Sequence, residues 1–447
     1  MKEIRAIGID YGTSNTVAAA LDADGNAQVL NLEAGTSASD PRLLKSLLYF
    51  PERNKSYFGR AAIDMYFDLG MEGRFLQSIK RLLPNPDFTG TSLFGRHAGI
   101  EDLIARFLQE LRLRIEREIG RPVKGLPIIF GRPARYAEDT AKESLAVIRF
   151  KRAIEMGGFD LNDVQLVEEP IAAMIAGQRA ENTVQKKDGP ITLIADLGGG
   201  TSDFTLFRRV STSVQPQGIH TFAVHGLSVA GDALDSDFFV ARLQDQFGAS
   251  IRYQRPFSSN ILTMPTLLVK HLPKWHHHAF LRERATWNFI IVLRKELVDE
   301  KQKPFLENLI TLVEENLGYR LHMAVEDLKL RMSSEAKTEF EFKSYPIEIG
   351  FPVKRPEFVK IISPSVDAIG ESALATCKYG KVDPAEVERL QFTGGTSKVP
   401  AIREKLSSLF PNAKIVDQDT FTAVAEGLAL YSGAMPRKRE KDRKSVV

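Results

Sequence analysis

Sulfur is scarce in this chain, and so are long apolar runs. Cys377 is the one cysteine among 447 residues, so no internal disulfide can form, and a lone thiol is what a reducing compartment favours. No apolar stretch approaches the ~20 residues that span a bilayer. The start, Met1-Lys2-Glu3-Ile4-Arg5, lacks the apolar core and cleavage site of a secretory leader. The expectation is an unprocessed N-terminus and a cytoplasmic protein. Two nucleotide-binding signatures are also missing: a G-x-x-x-x-G-K-S/T loop, and a G-x-G-x-x-G after a strand. Charge of one sign is scarce as well, with a net excess of only +3. The tail Pro436–Val447 holds six Lys/Arg against two acids, which leaves the remainder near neutral. Such a body does not match a nucleic-acid-binding surface, and the tail reads as a solvated, disordered terminus.

What is present is ordinary in bulk and informative in detail. Hydrophobic residues make up 43% and charged residues 26%, as in globular proteins, and a chain this long needs two or more core units. Ile4, Ala6 and Gly8 alternate with Arg5, Ile7 and Ile9, and Asp24-Gly25-Asn26 is a strong turn. The reading is strand, Gly-containing turn, strand, turn, strand. Leu103, Phe107, Leu108, Leu111 and Ile115 recur at helical spacing within Gly99–Gly120, with Gly120 placed to end the helix. A strand at Leu126–Phe130 leads to Arg132-Pro133, and a helix is expected over about 139–156. After a polar break at Gln185–Pro190, Ile191–Asp196 forms a strand ending on Asp. Gly198–Asp203 and a further strand then repeat the opening plan, which points to two related lobes. The region from Asp235 to Arg320 is helical in pattern. A third strand-into-glycine turn, Gln391–Lys398, precedes Val399-Pro400 and a helix.

The doubled turn carries a chemical implication. Glycines in a hairpin let backbone N–H groups converge on phosphate oxygens. Thr13, Ser14, Thr201 and Ser202 add hydroxyl donors. Asp10 and Asp196 each end a strand and place carboxylates near the same point, where they would repel polyphosphate unless a cation lay between. Mg²⁺ held by one or two carboxylates, water and phosphate meets that need. A single Asp-x-Gly-Thr is also compatible with a purely structural hairpin; the repetition favours the chemical reading.

At this point the residues resemble the Hsp70 chaperones. Gly8–Thr16 is similar to the family's first phosphate loop and Asp196–Asp203 to its second. Ser78–Leu82 is similar to the segment of the catalytic lysine, Val167–Ala173 to the Asn-Glu-Pro-x-Ala-Ala element, Phe392–Pro400 to the Gly-Gly adenosine loop, and Arg320–Ser334 to the adenosine helix. The resemblance, to a short bacterial-type chaperone, implies a duplicated actin-like ATPase fold of the α/β class. Each of two lobes would have a ribonuclease-H-like core and a peripheral subdomain. The expected division is lobe I at 1–189, lobe II at 190–422 with a helical peripheral subdomain at about 235–319, a helix returning to lobe I at 423–435, and the basic tail at 436–447. Carried over, the resemblance makes Asp10 and Asp196 the Mg²⁺ residues. Gly12, Thr13, Ser14, Asn15, Gly198, Gly199 and Gly200 would bind the phosphates of ATP or ADP. Gly231, Glu326, Lys329, Ser333, Gly394, Gly395, Thr396 and Lys398 would bind the nucleoside. Lys80, Glu169, Asp203 and Thr201 would be catalytic, Lys80 offsetting charge at the γ-phosphate and Glu169 orienting water.

The chain also departs from that pattern. After Leu430–Gly433 only the basic tail follows, so no peptide-clamping domain is expected, and a co-chaperone or client protein would be met through lobe closure. The family's relay arginine falls on Ala141, beside Lys142. Its stacking arginine falls on Leu330, with Arg331 adjacent, Lys398 stands where the adenosine loop carries Arg, and Asp419-Thr420-Phe421 replaces Asn-Pro-Asp. Lys cannot stack on adenine as a guanidinium does, so weaker or differently shaped adenosine binding is expected. Two other functions stay open: an actin-fold kinase acting on a small metabolite, and a nucleotide-regulated partner-binding module with little turnover. His276-His277-His278 is read as a surface or helix-edge cluster rather than a metal tract. Cys377 is read as a small buried hydrophobe, and Trp275 and Trp287 as packing residues of a helical subdomain.

Overall fold

The structure, a computed structural model, describes residues 3–38, 40–70, 72–77, 79–133, 135–137, 139–181, 188–210, 218–417 and 422–433. Ser78, residues 185–187 of the polar break, residues 419–421 and the basic tail lie outside them.

In lobe I, strands β1 (Ile4–Tyr11), β2 (Asn15–Asp22) and β3 (Ala27–Val29) form an antiparallel meander. The chain then runs through helices α1 (Gly59–Asp68) and α2 (Ile100–Ile119), strand β4 (Ile128–Arg132), helix α3 (Thr140–Met156), strand β5 (Val164–Glu168) and helix α4 (Glu169–Glu181). Strand β4 pairs parallel with β1, and β5 parallel with β4, giving the order β3-β2-β1-β4-β5.

Lobe II repeats this plan. Strands β6 (Ile191–Leu197), β7 (Ser202–Val210) and β8 (Gly218–Leu227) are antiparallel. Helices α5 (Gly231–Arg242), α6 (Gly318–Ser334) and α7 (Arg355–Gly380) follow, then the strands β9 (Arg389–Thr393) and β10 (Lys414–Asp417). The order β8-β7-β6-β9-β10, with β9 and β10 parallel to β6, is that of lobe I. Helix α8 (Ala423–Gly433) returns to pack on lobe I.

Both faces of the first sheet are covered, as parallel strand pairs require. Alternation along β1 sends Ile7 and Ile9 into the cluster under α2 and α3, and Ala6 to the face that meets Ala425 and Ala429 of α8. On β1 this second face presents the small Ala6 and Gly8, where α8 touches the strand backbone. A Cβ on Gly8 would stand 2.3 Å from Ala429 N and 2.4 Å from Ala425 O. Helices α4 and α8 lie between the two sheets. Ala172 and Leu428 pack with Ile129 and Val167 of lobe I, while Ala173 and Met174 pack with Ile194 and Phe207 of lobe II. Gly120 ends α2 in the left-handed conformation, at φ 70°.

The region expected to be helical also contains a β-hairpin, Arg252–Gln254 paired with Ile261–Thr263. Its strands are three residues each, too short for a periodic signal. Trp287 packs against the lobe II core. Trp275 instead reaches lobe I: its ring lies 5.2 Å from Phe75 and 5.0 Å from Tyr319, and Phe67 of α1 lies 5.2 Å from Tyr319. With Asn316 Nδ2 donating to the Gly70 carbonyl at 3.2 Å, these rings join the peripheral parts of the two lobes.

The histidine run lies at a helix start, as one of the two sequence expectations had it, but its last member is not on the surface. His278 is 6% exposed, and its Nε2 donates to the Leu272 carbonyl at 2.9 Å. Its Nδ1 has no partner and faces Gly318, where a Cβ would come within 2.2 Å. Among the described residues no three His, Cys, Asp or Glu side chains are grouped to hold a metal. Burial lowers the His278 pKa to about 4; the Leu272 hydrogen bond opposes that shift, and Arg282, His277 and His271 add to it. The unfolded chain takes up this proton near pH 6.5 and the folded one near 4, so the associated stability is intact above 6.5 and is lost as pH falls toward 4. At pH 5 the expected loss is about 2 kcal/mol. Urea unfolding of lobe II at pH 7 and pH 5 should show it, and His278→Gln should flatten the difference; an equal drop in both proteins would count against this assignment.

Candidate functional site

The two glycine hairpins meet across the cleft between the lobes. In the first, the turn between β1 and β2 is tight enough that a Cβ on Gly12 would lie 2.3 Å from the Asn15 carbonyl. Ser46 supports it from 34 residues away: its hydroxyl donates to the Gly12 carbonyl at 2.7 Å and lies 2.9 Å from Thr16 Oγ1. In the second, Gly198 N donates to the Thr201 carbonyl at 2.9 Å. The first turn of α5 docks on this hairpin, with Asp232 N donating to Gly199 O at 2.7 Å and Gly231 N to Gly198 O at 3.3 Å. The hairpins approach so closely that a Cβ on Gly199 would stand 2.8 Å from Ser14 Oγ.

Between them lies an acidic floor with one buried cation. Asp10 stands one residue before the end of β1, and Asp196 sits opposite Asp203 in the β6–β7 ladder, beside Thr393 of β9. Carboxylates directly opposite one another in a ladder destabilise it. Lys80, on the short turn Ile79–Leu82, is 8% exposed, and its Nζ donates to Glu169 Oε1 at 2.8 Å. The same Nζ stands 5.9 Å above the Tyr11 ring. Glu169 opens α4 and is therefore held by the helix that separates the sheets.

Burial, then Glu169, raise Asp10 well above the carboxylate range, against the pull of Lys80. Burial and Glu169 raise Asp196 to about 6, opposed by a hydrogen bond from Thr393. Burial and Asp196 raise Asp203 to about 7, opposed by a hydrogen bond from Thr201. Burial works against the charge on Lys80, but Glu169, Tyr136 and Asp10 raise its pKa above the ordinary value.

Three carboxylates and Glu169 therefore share one ammonium, and the site has room electrostatically for a further cation. The residues fit Mg²⁺ held through water and phosphate rather than by a cage of direct ligands, since no closed ligand group exists among the described residues. Asn15 Oδ1 is buried without a partner beside the first hairpin, which also fits a site completed by a ligand.

The proposed nucleoside residues gather on the lobe II side. Lys329 Nζ donates to Asp235 Oδ2 at 2.7 Å and to the Gly231 carbonyl at 3.3 Å. Thr396 Oγ1 donates to Gly198 O at 2.7 Å, and a Cβ on Gly231 would meet that hydroxyl at 2.6 Å. Gly394 holds φ 78° and passes so near Leu197 that a Cβ would stand 2.3 Å from its carbonyl, so β6, β9 and the Gly395–Lys398 turn close up only with glycine there. Glu326 and Ser333 flank Lys329 by about one turn of α6, where the Ser333 hydroxyl donates to the Lys329 carbonyl at 3.1 Å. Lys398 is exposed on the turn. Leu330 is 60% exposed. Arg331 does not replace the stacking arginine: it pairs with Asp327 at 2.8 Å and bonds Thr338 and the Glu339 carbonyl.

A family model described as "Hsp70 protein" matches residues 294–444. The chain is 23% identical to the chaperone protein DnaK of Thermoplasma volcanium, over 98% of this chain and 59% of that protein. It is 24% identical to DnaK of Picrophilus torridus, over 96% and 58%, and 23% identical to the HscA homolog of Mannheimia succiniciproducens, over 96% and 58%. These findings support an Hsp70-family protein. The fold is accordingly the mixed α/β, actin-like ATPase fold. The chain spans a little under three fifths of the length of these relatives. The Hsp70 model covers helix α6 and the Gly394–Gly395 turn, and both glycine hairpins lie outside it. No helix among the described residues is long and apolar enough to cross a membrane.

Several residues at the site escaped the sequence reading. Ser46 and Asp235 belong to no motif, and only their buried polar contacts reveal them. Tyr136 has a buried hydroxyl without a partner, and burial and the fields of Lys80 and Glu169 act on it. Asp232 was visible only as an acid in the first turn of a helix. Ala141 lies in the first turn of α3, and Lys142 N donates there to the Asp139 cap at 2.9 Å.

Proposed function

We propose that the chain binds ATP with Mg²⁺ in the interlobe cleft and hydrolyses it, as an Hsp70-like ATPase. The observation that carries this reading is the buried Lys80–Glu169 contact, set beside Asp10, Asp196 and Asp203 where the two hairpins meet. Bound Mg²⁺ would supply the positive charge that lets phosphate approach this floor. Gly12, Thr13, Ser14, Asn15, Gly198, Gly199, Gly200 and Thr201 grip the phosphates, with Asp10 and Asp196 facing the hydrated cation. Glu169 orients water and accepts its proton, and Lys80 both holds Glu169 and offsets charge at the γ-phosphate. Asp203 and Thr201 hold this network through their own hydrogen bond.

Gly231, Glu326, Lys329, Ser333, Gly394, Gly395, Thr396 and Lys398 take the nucleoside, with weaker adenine recognition because no guanidinium is positioned by Leu330 or Arg331. Lobe I at 1–189 and lobe II at 190–422 close on nucleotide about α4 and the returning helix, and a co-chaperone or client protein reads that closure. The buried lone thiol of Cys377 fits a cytoplasmic setting.

Single-turnover hydrolysis on the purified chain, with and without Mg²⁺, tests the reading. The expected result is phosphate release that needs Mg²⁺ and no second substrate. Production of ADP only when a small metabolite is added would replace it with a kinase. Nucleotide binding without turnover would leave a partner-binding module.

A further inference from the structure

Arg81 follows Lys80 in the turn Ile79–Leu82, and the two side chains part company there. Neighbours in so tight a helical turn project about 120° apart. Lys80 goes inward to Glu169. Arg81 is exposed and goes outward across the cleft to lobe II, where its Nη1 lies 3.0 Å, and its Cζ 3.8 Å, from the position a Cβ on Gly200 would take. Asp232 of α5 also stands near this hairpin, its Oδ1 3.2 Å from the Cβ position of Gly199 and its Oδ2 3.8 Å from that of Gly200. Arg81 nonetheless forms no ion pair or hydrogen bond with it or with any other described residue. A guanidinium is thus aimed at the backbone of the second phosphate hairpin with its donors unused.

We propose that Arg81 is a further catalytic residue, which reaches from lobe I over the Gly198–Thr201 hairpin to contact the terminal phosphate of bound ATP. This inference rests on the ATPase reading above. Its planar fork suits two phosphate oxygens at once, whereas Lys offers a point charge. Because the arginine belongs to one lobe and the hairpin to the other, its contact exists only when the cleft is closed. Hydrolysis thereby depends on closure without any change in the residues that grip the phosphates. ADP lacks the group that Arg81 touches, so the residue distinguishes the two nucleotides.

Arg81→Ala, Arg81→Lys and Asp232→Ala test this alongside the native chain. Titration with fluorescent ATP and ADP analogues gives the affinity ratio, and single-turnover hydrolysis gives the rate. Arg81→Ala is expected to slow hydrolysis about 100-fold, in line with loss of one preorganised charge donor, and to reduce the preference for ATP over ADP. Affinity for ADP should be unchanged. Arg81→Lys should recover part of the preference and little of the rate, and Asp232→Ala should leave the preference intact. An unchanged rate and ratio in Arg81→Ala overturns the assignment. So does an equal loss of ATP and ADP affinity shared with Asp232→Ala, which would make Arg81 a strut between lobes. A native chain that binds ATP normally confines either failure to Arg81, whereas a native chain that binds neither nucleotide overturns the ATPase reading as well.

Discussion

Glu169→Gln is expected to slow single-turnover ATP hydrolysis by about 100-fold or more, the range for loss of a positioned general base, while ATP affinity stays within a few-fold of the native value. The substitution is nearly isosteric and keeps an acceptor for Lys80 Nζ, which sits 2.8 Å from the present carboxylate. It removes only the basicity and the negative charge. Lys80→Ala should be as damaging to the rate by a different route. The ammonium favours the charged form of Asp10, Asp196 and Asp203 alike. Without it, four carboxylates face one another, and the floor of the cleft takes up protons or swells. Circular dichroism and nucleotide titration separate loss of chemistry from loss of fold. If both variants fold, bind ATP and hydrolyse it at the native rate, the catalytic assignment of Lys80 and Glu169 is wrong.

The second large effect concerns packing and owes nothing to the functional reading. Gly427→Ala in the middle of α8 would ordinarily stabilise a helix by about 1 kcal/mol. Here the added Cβ would stand 1.8 Å from the Ala172 carbonyl oxygen and 2.5 Å from its carbon, where backbone of α4 cannot give way by a side-chain rotation. The helices must move apart by more than 1 Å, and overpacking of this kind costs about 1–3 kcal/mol. The sign therefore reverses, and the thermal midpoint should fall. Ala172 lies less than one turn from Glu169, so the same displacement should lengthen the contact with Lys80 and slow hydrolysis. Gly350→Ala is the control, since its nearest obstacle is the Phe340 carbonyl at 3.8 Å. A Gly427→Ala protein as stable as the control would show that the close crossing of α4 and α8 is not required.

Local chemistry was readable where it is encoded in neighbours along the chain. The hairpins around Gly12 and Gly199 show in sequence because glycine, hydroxyl residues and a strand-ending Asp lie within a few positions. The repeat showed because the same plan recurs after Pro190. Lys80 and Glu169 are 89 residues apart, and nothing in either segment alone marks them; resemblance to a family supplied the pairing. The short hairpin at Arg252–Gln254 was missed because three residues cannot display alternation. The burial of His278, at the helix start that the sequence allowed, was not foreseen, because a polar triplet gives no sign that one ring turns into the core to bond Leu272.

The sequence by itself determined the strand-turn-strand units, their duplication, the helix that ends at Gly120, and a supply of carboxylate and hydroxyl groups suited to phosphate and a divalent cation. These follow from propensities and spacings that act over a few residues. Tertiary structure alone decided that β1, β6 and β7 bring Asp10, Asp196 and Asp203 to one floor, and that Lys80 is buried against Glu169. It also decided that Arg331 is spent on the Lys337–Ser344 strand while Arg81 is left facing Gly200. Whether a charge is paired, buried or available depends on what the rest of the chain places within a few ångströms of it, and that is a property of the folded molecule.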